Sequence, residues 1–163
     1  MVSLFAGCGG MDLGAIGGFN FNGKRYQRNP IEIVHASDFD KRVTSLYDQN
    51  FSHKSVLMDV RELGAESLPD FDILTGGFPC QSFSISAQNP KRLGFKDSRG
   101  QLFFEICRIL KERKPQVFIA ENVKGIISAN HGEAFPLILE EFARAGYFVQ
   151  WKLLNASHFG VPQ

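Results

Sequence analysis

The sequence predicts an α/β fold built on a doubly wound, mostly parallel sheet. Short apolar runs alternate with helical patterns along the chain, which is the order of strand–helix–strand units. The first apolar run feeds a glycine cluster, Gly7-Cys8-Gly9-Gly10. A later one ends in Gly76-Gly77-Phe78-Pro79-Cys80, setting a cysteine directly behind a proline at a strand tip. The length of 163 residues suits one domain, which buries roughly 70% of its unfolded surface at this size.

Val2 to Ala6 reads as the first strand, and Met11 to Ile16 opens a helix after the glycines. Ile31 to Ser37 is the second strand and Lys41 to Asn50 its helix, with Val43, Leu46 and Tyr47 expected on one face. Val56 to Met58 and Phe71 to Thr75 are apolar, strand-like runs. Leu102 to Lys114 has apolar residues at helical spacing, Val117 to Ala120 reads as a strand and Ala134 to Ala145 as a helix. Tyr147 to Leu154 is expected to be a final strand. No repeat, low-complexity tract or linker divides the chain.

Composition narrows the function classes. A net charge of +1 does not by itself call for a polyanionic partner, and 44% hydrophobic content is ordinary for a globular chain. The amino terminus lacks a basic region followed by a long apolar segment, so neither a secretory signal nor a membrane association is expected. Three cysteines without a Cys-x-x-Cys pair argue against a disulfide framework and a structural zinc, and fit a reducing cytoplasm. Cys107 lies among apolar residues at helical spacing and reads as core, and Cys8 as a loop residue. The basic cluster Arg108, Lys111, Arg113 and Lys114 reads as solvated surface at a helix carboxyl end.

Cys80 has the opposite setting. A strand tip at the carboxyl end of a parallel sheet is where such folds bind ligands, and the preceding proline stiffens the approach to the thiol. The glycine cluster lets the backbone approach a ligand closely, as a nucleotide-like cofactor requires. It departs from the dinucleotide fingerprint, because Asp12 stands where the third glycine belongs. Asp38, at the tip of the second strand, supplies a carboxylate able to accept both hydroxyls of a ribose, with Phe39 beside it as a flat apolar surface. Asp38 or Asp40 alternatively caps the following helix.

Three ordered motifs, Ser3-Leu4-Phe5-Ala6-Gly7-Cys8-Gly9-Gly10, Gly77-Phe78-Pro79-Cys80-Gln81-Ser82-Phe83-Ser84 and Glu121-Asn122-Val123, resemble those of the cytosine-5 DNA methyltransferases of bacterial modification type. Gly94-Phe95-x-Asp97-Ser98-Arg99-Gly100-x-Leu102-Phe103-Phe104 resembles the segment joining that family's catalytic loop to its next helix. The likeness runs from Ser3 to Gln163. It implies the Rossmann-like fold of the S-adenosylmethionine-dependent methyltransferases, incomplete at the carboxyl end. Residues 1–163 would form part of the catalytic and cofactor-binding domain, with the target-recognition region outside them.

The resemblance also implies roles. Phe5, Gly7, Gly9 and Gly10 would hold the amino-acid end of S-adenosylmethionine, with Asp38 on the ribose, Phe39 against the adenine, Asp59 on its exocyclic amine and Pro79 alongside; S-adenosylhomocysteine would be the product. No metal is expected. Cys80 would attack carbon 6 of cytosine, since carbon 5 is too weak a nucleophile to be methylated directly, and a covalent detour divides one hard step into easier ones. Glu121, its carboxyl pKa expected to be raised by burial at a strand tip, would donate to ring nitrogen 3 and accept from the 4-amino group. Its plainer alternative is an ion pair with Lys124 or another cation.

Gln81, Ser84 and Arg99 would contact substrate. The target base must leave the stack of double-stranded DNA to reach the thiol, and the Ser82 to Gly100 stretch, with Lys91, Arg92, Lys96 and Arg99, suits a loop that closes over phosphates. Gly160-Val161-Pro162-Gln163 resembles the start of a motif that continues with two arginines. Sequence specificity would therefore come from a further part of the polypeptide or from a second one. The expected setting is the cytoplasm of a bacterium, at the nucleoid. Methylation of RNA by a related enzyme and a partial, non-catalytic subunit remain as alternatives.

Overall fold

The computed structural model describes residues 1–79 and 101–161. Cys80, Gln81, Ser84, Arg99 and the rest of the Ser82 to Gly100 stretch lie outside the described residues, as do Pro162 and Gln163. A parallel five-stranded sheet runs β5-β4-β1-β6-β7, where β1 is Val2–Leu4, β4 His35–Asp38, β5 Val56–Leu57, β6 Ile73–Gly77 and β7 Val117–Glu121. All four pairings are parallel. The expected doubly wound fold is present, with the chain leaving the central β1 first toward β4 and later toward β6.

That reversal puts helices on both faces. In β1, Val2 and Leu4 face a core that contains Leu74, Phe103, Ile106 and Phe142. It is built with α3 (Gln101–Arg113) and α4 (Ala134–Arg144). Burying side chains of this size contributes about 1.5–3 kcal/mol each. A smaller cluster of Met1, Ile33, Ala36 and Tyr47 involves α2 (Lys41–Asn50), and Ala15 and Ile16 of α1 (Gly10–Ile16) pack against it. The α2 helix has the expected bounds because Asp40 accepts from the Arg42 N–H at 2.8 Å and caps its start. Its buried face differs from the expected one: Thr44 and Tyr47 are buried while Leu46 is exposed. The expected core place of Cys107 and loop place of Cys8 are both found.

Other differences have physical causes. β4 starts at His35 rather than Ile31, because β1 offers its first ladder partner, Val2, opposite His35. Between them lies an unexpected hairpin, β2 (Asn20–Phe21) and β3 (Lys24–Arg25), whose Phe19 and Tyr26 rings stack at 4.9 Å. Tyr147 to Leu154 is not a strand. It is held by side chains: Tyr147 donates its hydroxyl to the Pro115 carbonyl at 2.7 Å and packs edge-on against Phe118, and Trp151 packs against Phe135. A cavity of about 260 Å³ lies between this segment and β7, so the alternating apolar pattern finds packing but no ladder partner. The α3 cations are not all solvated surface: Arg108 donates to the Leu63 carbonyl and Arg113 to those of Ala65 and Pro69.

Candidate active site

Since every strand of the main sheet is parallel, their carboxyl ends gather on one edge, where ligands bind in open α/β folds at the point of strand-order reversal. Here that point lies between β1 and β6. The Phe5 to Gly10 turn leaves β1 on one side, and Phe78-Pro79 leaves β6 on the other.

The turn is conformationally demanding. Phe5 has φ 53°, Gly7 55° and Gly9 88°, so three of five successive residues are left-handed. For a bulky residue such as Phe5 that costs of order 1–3 kcal/mol, strain that characteristically persists at ligand-binding backbone. Asp38 braces the turn: one carboxylate oxygen accepts from Gly7 N–H at 2.9 Å and the other from Asp40 N–H at 3.0 Å. Asp40, not Asp38, is the cap of α2, which resolves that alternative.

Asp38 and Phe39 line a cavity of about 210 Å³ with Phe5, Ser37, Met58 and Asp59. Phe39 is 71% exposed, an aromatic face open to a planar ring. Asp59 follows β5 and accepts from the Arg61 backbone N–H at 3.0 Å and from its guanidinium, whose bonds hold the carboxyl below its ordinary pKa. The lining thus offers carboxylate acceptors and apolar surface, while its cation, Arg61, is engaged by Asp59. Such a set suits the hydroxyls, amine and ring of an uncharged nucleoside better than a polyphosphate. The sequence-derived group Phe5, Gly7, Gly9, Gly10, Asp38, Phe39 and Asp59 is brought to one edge of the sheet.

On the other side of the switch point, Gly77 of β6 is the register partner of Glu121 at the end of β7. A Cβ added to Gly77 would lie 3.1 Å from Glu121 Oε2, so glycine leaves room for the carboxylate to lie over the strand. Cys80 follows Gly77 by three residues, through a buried Phe78 and Pro79. Asn122 Nδ2 donates to the Phe78 carbonyl at 2.7 Å and joins the two strand tips. The expected burial of Glu121 is not found, since it is exposed, and the plainer alternative is not found either, since among the described residues its carboxylate has no ion pair with Lys124 or another cation. Among the described residues there is no group of three or more His, Cys, Asp or Glu that could hold a metal ion.

Three residues of this region escaped the sequence reading. Asn122 stands inside a recognised motif, yet nothing local shows that its amide reaches back to Phe78. Asp12 and Tyr47 form a buried pair beneath the glycine turn; the only signal was an aspartate in place of the fingerprint's third glycine.

A family model described as C-5 cytosine-specific DNA methylase matches residues 1–163. The Type II methyltransferase M.Bsp6I of Bacillus sp. (strain RFL6) is 41% identical over 165 residues, covering 100% of this chain and 48% of that relative. M.FnuDI of Fusobacterium nucleatum, also a Type II methyltransferase, is 42% identical over 163 residues, covering 100% of this chain and 43% of the relative. The chain therefore spans less than half the length of these relatives. A solved structure of a proposed DNA modification methyltransferase encoded within an E. coli prophage aligns with TM-score 0.65 at 27% identity, over 88% of this chain and 37% of that one. The S. pombe Dnmt2 methyltransferase shares the fold, with TM-score 0.57 at 24% identity over 85% of this chain and 39% of that one.

Proposed function

Because the chain belongs to the C-5 cytosine-specific DNA methylase family, we propose that residues 1–163 are the catalytic and cofactor-binding part of an enzyme that methylates carbon 5 of cytosine in double-stranded DNA. The observation that carries this reading is the pairing of Gly77 with Glu121, which sets the carboxylate beside the strand that leads into Cys80. The family match favours DNA over RNA as substrate, and both relatives named above are Type II methyltransferases.

S-adenosylmethionine supplies an electrophilic methyl group when bound. Asp38 would accept the ribose hydroxyls, Phe39 would stack on the adenine, Asp59 would accept from its amine, Pro79 would close the side toward Cys80, and the Phe5 to Gly10 turn would take the amino-acid end. The donor-poor lining supports this nucleoside fit.

On the substrate side, the Cys80 thiolate adds to carbon 6 of the extruded cytosine, and the electron pair of the 5,6 double bond shifts onto carbon 5 and the ring. Glu121 in its protonated form donates to nitrogen 3 and accepts from the 4-amino group. Its exposure in the described structure leaves the carboxyl open to an entering base. After carbon 5 takes the methyl group, its proton leaves to a base. The electron pair of that C–H bond restores the double bond and expels Cys80 as thiolate. Gln81, Ser84 and Arg99 would hold the base and backbone.

The remaining length of the relatives, or a second polypeptide, would supply target recognition. Among the described residues no helix is long and apolar enough to cross a membrane; a cytoplasmic, nucleoid-associated place would follow from the substrate. The test is covalent capture of DNA carrying 5-fluorocytosine at the target. The full-length protein forms the adduct, and Cys80→Ala forms none while still binding S-adenosylhomocysteine. An adduct with Cys80→Ala overturns the assignment.

A further inference from the structure

We infer that Tyr47, acting through the buried carboxylate of Asp12, is a positioning residue that presets the Gly7 to Gly10 turn for its ligand. The inference rests on the reading of that turn as the seat of the cofactor's amino-acid end.

Asp12 is 0% exposed in the first turn of α1, and Tyr47 of α2 is 0% exposed as well. Ser3 of β1 donates its hydroxyl to Asp12 Oδ1 at 2.6 Å, and Tyr47 donates its hydroxyl to Asp12 Oδ2 at 2.6 Å. The single tyrosine hydroxyl hydrogen is thereby used, so the 2.7 Å contact between that oxygen and His53 Nε2 is a donation from His53. One carboxylate thus ties together β1, α1 and α2, and the Tyr47 hydroxyl joins the segment after α2 to them. Burial and the neighbouring Asp12 push the Tyr47 pKa upward, which keeps the hydroxyl a donor.

The α2 helix and the segment after it meet the turn at Gly9. A Cβ added there would lie 2.2 Å from Phe51 Cε2 and 2.9 Å from Tyr47 Cε2, so the two rings, stacked at 4.3 Å, press on the backbone of the turn. Gly9 in turn donates its N–H to Ala6 and accepts from Leu13, linking the turn to α1. Apolar side chains would fill this space without the desolvation cost of a buried carboxylate, and replacing such a polar group by apolar ones is often neutral or stabilising. What the carboxylate adds is direction, because its bonds fix where α1 and the Tyr47 ring stand relative to β1. With the ring fixed, Gly9 is held at its left-handed φ and the turn above it keeps one shape.

The test uses the full-length protein with Tyr47→Phe, which removes one oxygen and keeps the ring. Ile109→Val, in the core of α3, serves as a control for lost stability. His53→Ala removes the donor to the Tyr47 hydroxyl from a half-buried site and serves as the second variant. Calorimetry with S-adenosylhomocysteine and steady-state kinetics are read well below each variant's unfolding transition. Tyr47→Phe is expected to weaken binding and raise the KM for S-adenosylmethionine about tenfold, with kcat at saturating cofactor within about twofold. His53→Ala should shift both in the same direction by about threefold, and Ile109→Val should shift neither. Equal affinity in Tyr47→Phe and the unmutated protein, or an equal loss in Ile109→Val, overturns the positioning role. Absence of binding by the unmutated protein overturns the cofactor reading itself.

Discussion

Asn122 Nδ2 donates to the carbonyl oxygen of Phe78 at 2.7 Å, across 44 residues of sequence. This bond closes the gap between the tips of β6 and β7, two residues before Cys80 and one after Glu121. The same side chain accepts from Val123 N–H at 3.0 Å, which orients its amide so that the NH₂ group faces Phe78.

Asn122→Ala should therefore separate the two proposed catalytic groups, Cys80 and Glu121, without touching the proposed cofactor side. A misplacement of about 1 Å costs up to roughly 100-fold in rate. The expected result is a fall in kcat of about 10- to 100-fold, with affinity for S-adenosylhomocysteine unchanged. Steady-state kinetics with calorimetry on the same preparations checks it.

Asp38→Ala removes the acceptor of the Gly7 N–H and the proposed ribose acceptor together. Hydrogen bonds to charged groups contribute about 1.5–3 kcal/mol each, so cofactor affinity should fall at least about tenfold. Asp38→Asn retains an acceptor for Gly7 and should lose less. Calorimetry of the two variants in parallel distinguishes support of the turn from direct contact with ligand.

Gly9→Ala forces a Cβ into a site where Phe51 and Tyr47 atoms lie 2.2 and 2.9 Å away, at φ 88°. Strained backbone and overpacking each cost about 1–3 kcal/mol. Urea unfolding should show a loss of that size, together with weakened cofactor binding. Gly14→Ala is the control, since an added Cβ there meets nothing within 4 Å.

Burial, reinforced by Glu141, pushes the Cys107 thiol from 9.0 up to about 12. A thiol neutral in the fold contributes stability that is fully present below pH 9.0 and is lost as pH rises toward about 12, because the unfolded chain ionises first. In native protein at pH 8, alkylation should label exposed Cys8 and leave Cys107 untouched until denaturant is added. The stability advantage of the unmutated protein over Cys107→Ala should shrink between pH 9 and pH 11.

Much of this was legible in the sequence where local signals agreed. α2 begins at Lys41 and ends at Asn50 because apolar spacing and the Asp40 cap specify the same segment. The doubly wound order followed from the alternation of apolar runs with helical patterns. The β2–β3 hairpin carried a signal of its own, since Asn22-Gly23 is a strong hairpin turn. Other features had no local signature. Tyr147 to Leu154 alternates like a strand, but pairing needs a neighbour that alternation cannot supply. The exposure of Glu121 depends on what covers a strand tip, and the reach of Asn122 to Phe78 on how two distant tips align.

The proposed role of Cys80 is methyl transfer to carbon 5 of cytosine in DNA. The most direct measurement incubates the full-length protein with DNA and isotopically labelled S-adenosylmethionine, digests the DNA and identifies labelled nucleosides by mass spectrometry. Label is expected in 5-methyl-2′-deoxycytidine and is abolished in Cys80→Ala. Label elsewhere in the DNA, no label at all, or undiminished 5-methyl-2′-deoxycytidine with Cys80→Ala would contradict it.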